Sequence, residues 1–307
     1  MSQRWEKLGQ IYVPAKLGRH PKLLTHAANP LAVPMSGDTF RIFFSGRDES
    51  NRSSVGAVDI DIVLRRIVSE HANPFVTHGG EGSFYADGIS IGNQYQAFGL
   101  RFILFMGWQA PKDTHWRGDI GRLILRDDLS LSIDQEAPFM GSDSVDPISL
   151  SYPWVHYHPS SGFQMWYGST LTWDAGNGEM IHVLNRASSE DGQIWSKHGL
   201  AVPFQIGQAQ AFSRPSVVQN PAGDYDMWFS YRSGQGSTYR IGRARSMDGA
   251  NWTLMLDESG IDVSQHGWDS EMIEYPFVFD HAGERYMLYN GNGYGRTGFG
   301  LARWIDE

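Results

Sequence analysis

"YPFVFDHAGERYMLYNGN", Tyr275–Asn292, reads as an apolar strand, a turn and an aromatic strand. Four earlier segments read the same way: "NPLAVPMSGDTFRIFFSGRD" from Asn29, "DGISIGNQYQAFGLRFILFMGW" from Asp87, "YPWVHYHPSSGFQMWYGS" from Tyr152 and "RPSVVQNPAGDYDMWFSYR" from Arg214. Their second residues, Pro30, Gly88, Pro153, Pro215 and Pro276, are 58, 65, 62 and 61 residues apart. The aromatic near the end of the second strand, Phe44, Phe105, Tyr167, Phe229 and Tyr289, recurs after 61, 62, 62 and 60 residues. Two marks that keep one period along the whole chain indicate an internal repeat. The turns "SGD", "HPSSG", "NPAG" and "DHAG" are built from residues that tolerate turn geometry.

A third strand follows in each unit, often around a small pair: Val55-Gly56, Ile120-Gly121, Ile241-Gly242 and Phe299-Gly300. The third unit has "IHVLNRAS" instead and lacks the glycine. A turn and a fourth strand come next in the first four units, with "SEDGQIW" from Ser189 and "SMDGANW" from Ser246 as near copies. Four antiparallel strands per unit, repeated radially, predict an all-β, five-bladed β-propeller as one domain over residues 1–307, with blades starting near 29, 87, 152, 214 and 275. The fifth unit runs out of chain before its fourth strand. Residues 9–14, "GQIYVP", are expected to complete that blade and close the ring, leaving no bare edge.

Composition agrees. The 307 residues hold 35 glycines, 13% aromatic and only 19% charged residues, which suits short strands and tight turns. A net charge of −9 argues against a nucleic-acid partner. The absence of cysteine excludes disulfides and thiol chemistry. The first twenty residues carry no signal-like apolar run and no later run approaches a membrane span, so no membrane partner and a cytoplasmic location are expected.

Propeller topology places the start of each first strand, the end of the second and the start of the third on one face. Asp87 and Glu274 then project near the channel axis, as candidates for the paired carboxylates that glycosidic cleavage uses. Asp146, Asp269 and Glu271, upstream of first strands, are reserves. Trp108, Trp116, Tyr152, Tyr239, Tyr275 and Tyr294 offer flat surfaces to sugar rings; Asn29, Asp48, Asn290 and Asn292 offer polar contacts. Arg47, Arg52, Arg117, Arg214, Arg232, Arg240 and Arg296 map to the same face. They suit an anionic ligand or, equally, pairing with nearby acids. "GNGYG" from Gly291 opens no helix and is no dinucleotide loop. The histidines show no close ligand spacing, so no metal and no cofactor are predicted; a cation or a water in the channel stays compatible with the sequence.

"NPLAVP…RIFFSGRDESNRS", "RPSVV…DMWFSYR…YRIGRARSMDGANW" and "DSEMIEYPFVF…YMLYNGNGYGRTGFGLA" resemble the five-bladed propeller glycosidase superfamily, which includes arabinanase and xylosidase-like, fructosidase-like and mannoside phosphorylase-like enzymes. They look closest to glycosidase-like proteins of bacterial surface-polysaccharide clusters. The resemblance covers about residues 26 to 302. It implies a carbohydrate-active enzyme of glycoside hydrolase type, acting on a small carbohydrate or nucleotide-sugar ligand. It also implies an acid on the first blade's inner strand, where this chain has Asn29, a second-blade acid matched by Asp87, and a glutamate near the third blade, where "LSYPWV" offers Tyr152. These departures leave three expectations: cleavage or transfer on an anionic sugar or sugar phosphate; a glycosyltransferase or phosphorylase of surface-glycan synthesis; or a glycan-binding propeller without catalysis.

Overall fold

The computed structural model describes residues 3–14, 19–234 and 236–306. Among them helix is confined to two three-residue 3-10 turns, Pro21–Leu23 and Leu256–Glu258, and no helix is long and apolar enough to cross a membrane. The rest is strand and loop. The strands are β1 (Gln3–Tyr12), β2 (Thr25–Pro34), β3 (Thr39–Arg47), β4 (Ser53–Asp61) and β5 (Arg66–Glu70), then β6 (Gly88–Ala97), β7 (Leu100–Gln109), β8 (Arg117–Leu125) and β9 (Leu131–Ile133). They continue with β10 (Leu150–His158), β11 (Gly162–Thr172), β12 (Ile181–Ser189), β13 (Ser196–Leu200), β14 (Ala211–Gln219), β15 (Tyr225–Arg232), β16 (Arg240–Ser246) and β17 (Thr253–Leu254). The last three are β18 (Glu274–His281), β19 (Glu284–Asn290) and β20 (Phe299–Asp306).

Hydrogen bonds join these strands into three sheets, none closed on itself: β2 to β9, β10 to β17, and β1-β20-β19-β18. Each larger sheet is two antiparallel four-stranded stretches that touch through one parallel pair, Ser53 with Gly88 and His182 with Ala211. β1 lies antiparallel to β20 from Gln3 opposite Asp306 to Tyr12 opposite Phe299, so the strand begins at Gln3, earlier than Gly9. Trp5 packs edge-on against Trp228 and Trp304, which ties β1 to the neighbouring sheet.

Burial falls from the first strand of each stretch to the last. β4 is buried at every residue but Asp61, whereas β5 is exposed throughout and β13 alternates between exposed and half-buried. Inner strands covered on both faces read as continuous apolar runs, and outer strands as polar ones.

The first strand of each stretch carries a bulge, two residues that skip pairing with the second strand. They are Asn29-Pro30, Gly92-Asn93, Tyr152-Pro153, Arg214-Pro215 and Tyr275-Pro276. Proline fits there because the unpaired position needs no donor. Asn29, Tyr152, Arg214 and Tyr275 all have positive φ, between 37° and 55°. Left-handed backbone in such residues costs about 1–3 kcal/mol each and concentrates at functional sites.

This periodicity corrects the alignment of the second unit. Counted on the bulges, the spacing is 63, 60, 62 and 61 residues, so the counterpart of Asn29 is Gly92 and not Asp87. Asp87 stands just before β6, outside the strand. Gly92 replaces the usual larger residue because a Cβ there would press into the Pro153 carbonyl.

The bulges converge. Arg214 is 2% exposed and donates to the carbonyl oxygens of Tyr275 (2.9 Å), Pro30 (2.7 Å) and Gly92 (3.5 Å), three bulges from distant parts of the chain. Burial lowers its pKa to about 9. The first and last sheets are also tied: Asn290 Oδ1 accepts from Asn29 N (2.9 Å), and its Nδ2 donates to the Ala27 carbonyl (2.8 Å).

Candidate functional site

Two of the bulge residues, Tyr152 and Tyr275, line a cavity of about 440 Å³, within the range that holds a small ligand. Of the expected residues, Arg47, Trp108, Tyr152, Arg232 and Tyr275 line it, with Trp116, Tyr239 and Tyr294. Glu274 does not itself line the cavity; it directly precedes Tyr275, which does. It is the first residue of β18, opposite Asn290, and is wholly buried. No protein group bonds either carboxyl oxygen. Burial raises its pKa well above the ordinary carboxylate range; Arg232 and Arg47 act in the opposite direction without offsetting it. Its charge is felt by Tyr152, Tyr239 and Tyr275 on the cavity wall. Burial of this kind favours the neutral carboxylic acid over the carboxylate.

The other candidate acids have different surroundings. Asp146 is wholly buried and saturated: Lys197 Nζ at 2.7 Å, Tyr167 OH at 2.9 Å and Asn185 Nδ2 at 2.8 Å. Asp269 repeats the pattern with Lys7 Nζ at 2.7 Å and Tyr289 OH at 3.1 Å. Both of these expected reserve acids are thus occupied by protein partners. The side chain of Glu271 is exposed, and its carbonyl receives Thr238 Oγ1 and Arg240. Asp87 is not brought into the cavity beside Glu274. It lines a separate hollow with Lys22, Arg52 and His78, and its Oδ2 accepts from the Ala110 amide (2.7 Å), which belongs to the cavity wall.

The arginines divide sharply. Arg52 is paired with Asp48 (2.9 Å), Arg117 with Asp119 (3.3 Å) and Arg240 with Asp262 (3.3 Å). Arg232 meets Glu179, with Nη2–Oε1 at 3.0 Å as a hydrogen bond and Nε–Oε2 at 2.7 Å as a close charge contact that is not aligned as one. Arg214, one of the seven arginines expected on this face, is spent on carbonyls and does not line the cavity. Among the described residues, Arg47 and Arg296 have no carboxylate within ion-pair distance. Burial and the charges of these two arginines lower the pKa of His26 to about 4. Asn292 is structural: its Oδ1 accepts from Glu271 N and Met272 N. Asn29 is buried and its Oδ1 has no protein partner.

Sequence reasoning missed Ser151, His182 and Thr170. His182 is buried, with Nε2 2.6 Å from Ser151 Oγ and Nδ1 2.7 Å from Thr170 Oγ1. Burial first, then Arg232, lowers its pKa to about 3, so the ring is neutral. Ser151 and His182 both line the cavity. Gly168 makes room for them, since a Cβ there would collide with both. The signal was the odd third unit: "IHVLNRAS" puts Asn185 opposite Tyr167, where other units have glycine, and that asparagine serves Asp146. Among the described residues no cluster of three or more metal-ligating side chains occurs.

No family model matches the chain. Two proteins of Mycobacterium tuberculosis, uncharacterized protein MT1551 of strain CDC 1551 / Oshkosh and uncharacterized protein Rv1502 of strain ATCC 25618 / H37Rv, are each 43% identical to it over 300 residues, 97% of this chain and 98% of theirs. The chain belongs to their family. Its fold is that of the glycoside hydrolase propellers. The BT0996 protein in its RGII complex matches with a TM-score of 0.74 at 14% identity, covering 98% of this chain and 92% of that one. A structure from the GH130 family of mannoside phosphorylases, which contains hydrolases of β-1,2 mannosidic linkages, matches at 0.72 and 12%, covering 99% and 94%. The endo-arabinase of Bacteroides thetaiotaomicron VPI-5482 matches at 0.61 and 9%, covering 94% and 97%.

Proposed function

We propose that the chain is a five-bladed propeller closed by β1, and that it cleaves or transfers a glycosyl group in the cavity beside Glu274. The observation that carries this reading is the buried, unpartnered carboxyl of Glu274, whose charge is felt by three tyrosines of a ligand-sized cavity walled by tyrosines and tryptophans. Such an acid protonates the departing glycosidic oxygen. Asp87 faces a separate hollow and reaches this cavity only through the Ala110 amide, so it is not assigned as the second carboxylate. The proposed ligand is a sugar with an anionic group, because Arg47 lines the cavity without a carboxylate partner and Arg296 shares its electrostatic neighbourhood at His26. The same acid serves transfer or phosphorolysis in surface-glycan synthesis.

Asn29 favours a second reading, a glycan-binding propeller without turnover, because it offers an amide where the resemblance implies an acid. The test is turnover of a panel of aryl glycosides, sugar phosphates and nucleotide sugars, with Glu274→Gln beside the wild type. Loss of the general acid lowers the rate about 10²–10⁴-fold. A variant as fast as the wild type contradicts the acid role. A wild type that binds members of the panel and turns over none supports the second reading.

A further inference from the structure

Trp116, which lines the cavity, and two rings beside it belong to none of the hydrophobic clusters of the described residues. His115 stacks on Trp173 with ring centres 4.6 Å apart and an interplanar angle of 16°. Trp116 meets Trp173 edge-on at 4.9 Å, and its other neighbour is His182 on the cavity floor, at 6.0 Å. Trp116 lines the cavity, Trp173 is half-buried and His115 is exposed. Rings that leave water without joining a core are the kind of surface that ligands and partners use.

The shelf is built from two loops, and the one carrying Trp173 is braced. Asp174 Oδ1 accepts from Gly176 N (2.7 Å) and Gly178 N (3.2 Å), and Ala175 N donates to the Glu179 carbonyl (2.8 Å). A surface held in advance loses little entropy on binding.

We propose that Trp116, Trp173 and His115 form a stacking shelf for the next sugar ring of an oligosaccharide whose terminal unit sits in the cavity beside Glu274. This rests on the glycosyl reading above and adds that the ligand is a chain and not a lone sugar. Continuity decides the occupant: the shelf runs into the cavity through Trp116. Charge decides its chemistry. Arg117, next to Trp116, is committed to Asp119, and Lys112 and Asp113 in the same loop have opposite signs. Arg47 and Arg296, which have no carboxylate partner among the described residues, gather instead at His26 in β2. The shelf is therefore the neutral end of the site. It fits a sugar ring, whose C–H face packs on aromatic carbon, better than the phosphates of a nucleotide.

The test uses the full chain and a labelled library of neutral and acidic oligosaccharides of two to six units with the matching monosaccharides, comparing wild type, Trp173→Ala and His115→Ala. The shelf predicts that at least one oligosaccharide binds the wild type and binds Trp173→Ala about tenfold more weakly, as expected when about 1.4 kcal/mol of contact is lost. His115→Ala gives a smaller loss, and the losses fall on oligosaccharides and not on monosaccharides. Thermal unfolding of both variants separates a folding defect from a binding one. The shelf is overturned if the wild type binds no oligosaccharide of the library, if Trp173→Ala binds as tightly as the wild type, or if monosaccharides weaken equally. Glu274→Gln separates the two levels: oligosaccharide binding lost only with Trp173 supports the shelf even where Glu274→Gln leaves turnover untouched and the acid role fails.

Discussion

Asp269 and Glu274 lie five residues apart, both are buried, and they do opposite things. Asp269 has a lysine and a tyrosine hydroxyl on its oxygens; Glu274 has no protein partner on either oxygen. Asp146 shows that the first arrangement is a repeated cassette. In both cases an aspartate six residues before the bulge accepts from the tyrosine of the second strand and pairs with a lysine of the outermost strand, Lys197 in β13 and Lys7 in β1. The units without this acid have phenylalanine in place of the tyrosine, Phe44, Phe105 and Phe229. Burial alone therefore does not mark a catalytic acid. A carboxylate that is buried and saturated holds the sheets together, whereas one that is buried and bare has been left for something else.

The comparison is easiest to break through stability. Asp146→Ala leaves the Tyr167 hydroxyl and the Asn185 amide without their acceptor and Lys197 with only Asp143 and the Gly141 carbonyl, so a loss of about 3 kcal/mol is expected in urea unfolding, with a smaller loss for Asp269→Ala because Lys7 is partly exposed. Equal, small losses for the two aspartates and for Glu274→Gln would erase the distinction. Arg214→Met comes next, at about 1–3 kcal/mol. It leaves three bulge carbonyls without their donor but relieves a buried charge. A loss confined to ligand affinity, with stability intact, would return Arg214 to the binding site.

The period, the strand pairs, the all-β class and the outer N-terminal strand were legible because each repeats a local pattern. The second unit misled because its bulge has no proline. "DGIS" looked like the start of the strand, while Gly92-Asn93 carries the geometry under the constraint of the Pro153 carbonyl. The arginine assignments were illegible for a different reason. Glu179 and Arg232 come from different repeats, and no local spacing tells which of seven arginines finds an acid. Glu274 itself was visible as a position; its isolation was not, because a missing partner is a property of the packed interior.

The most direct measurement follows the ionisation of Glu274, by carboxyl-carbon NMR against Glu274→Gln, together with the stability of both proteins across pH. A carboxyl whose folded pKa is raised binds its proton in the native state after the unfolded chain has released it near the ordinary value of about 4.3. The wild type is therefore expected to lose stability relative to Glu274→Gln as the pH climbs from about 4.3 toward the raised folded value, with the Glu274 resonance titrating well above that of an exposed glutamate. A resonance that titrates at or below about 4.3, with a stability gap that does not change with pH, would show Glu274 to be an ordinary charged side chain and would contradict the account.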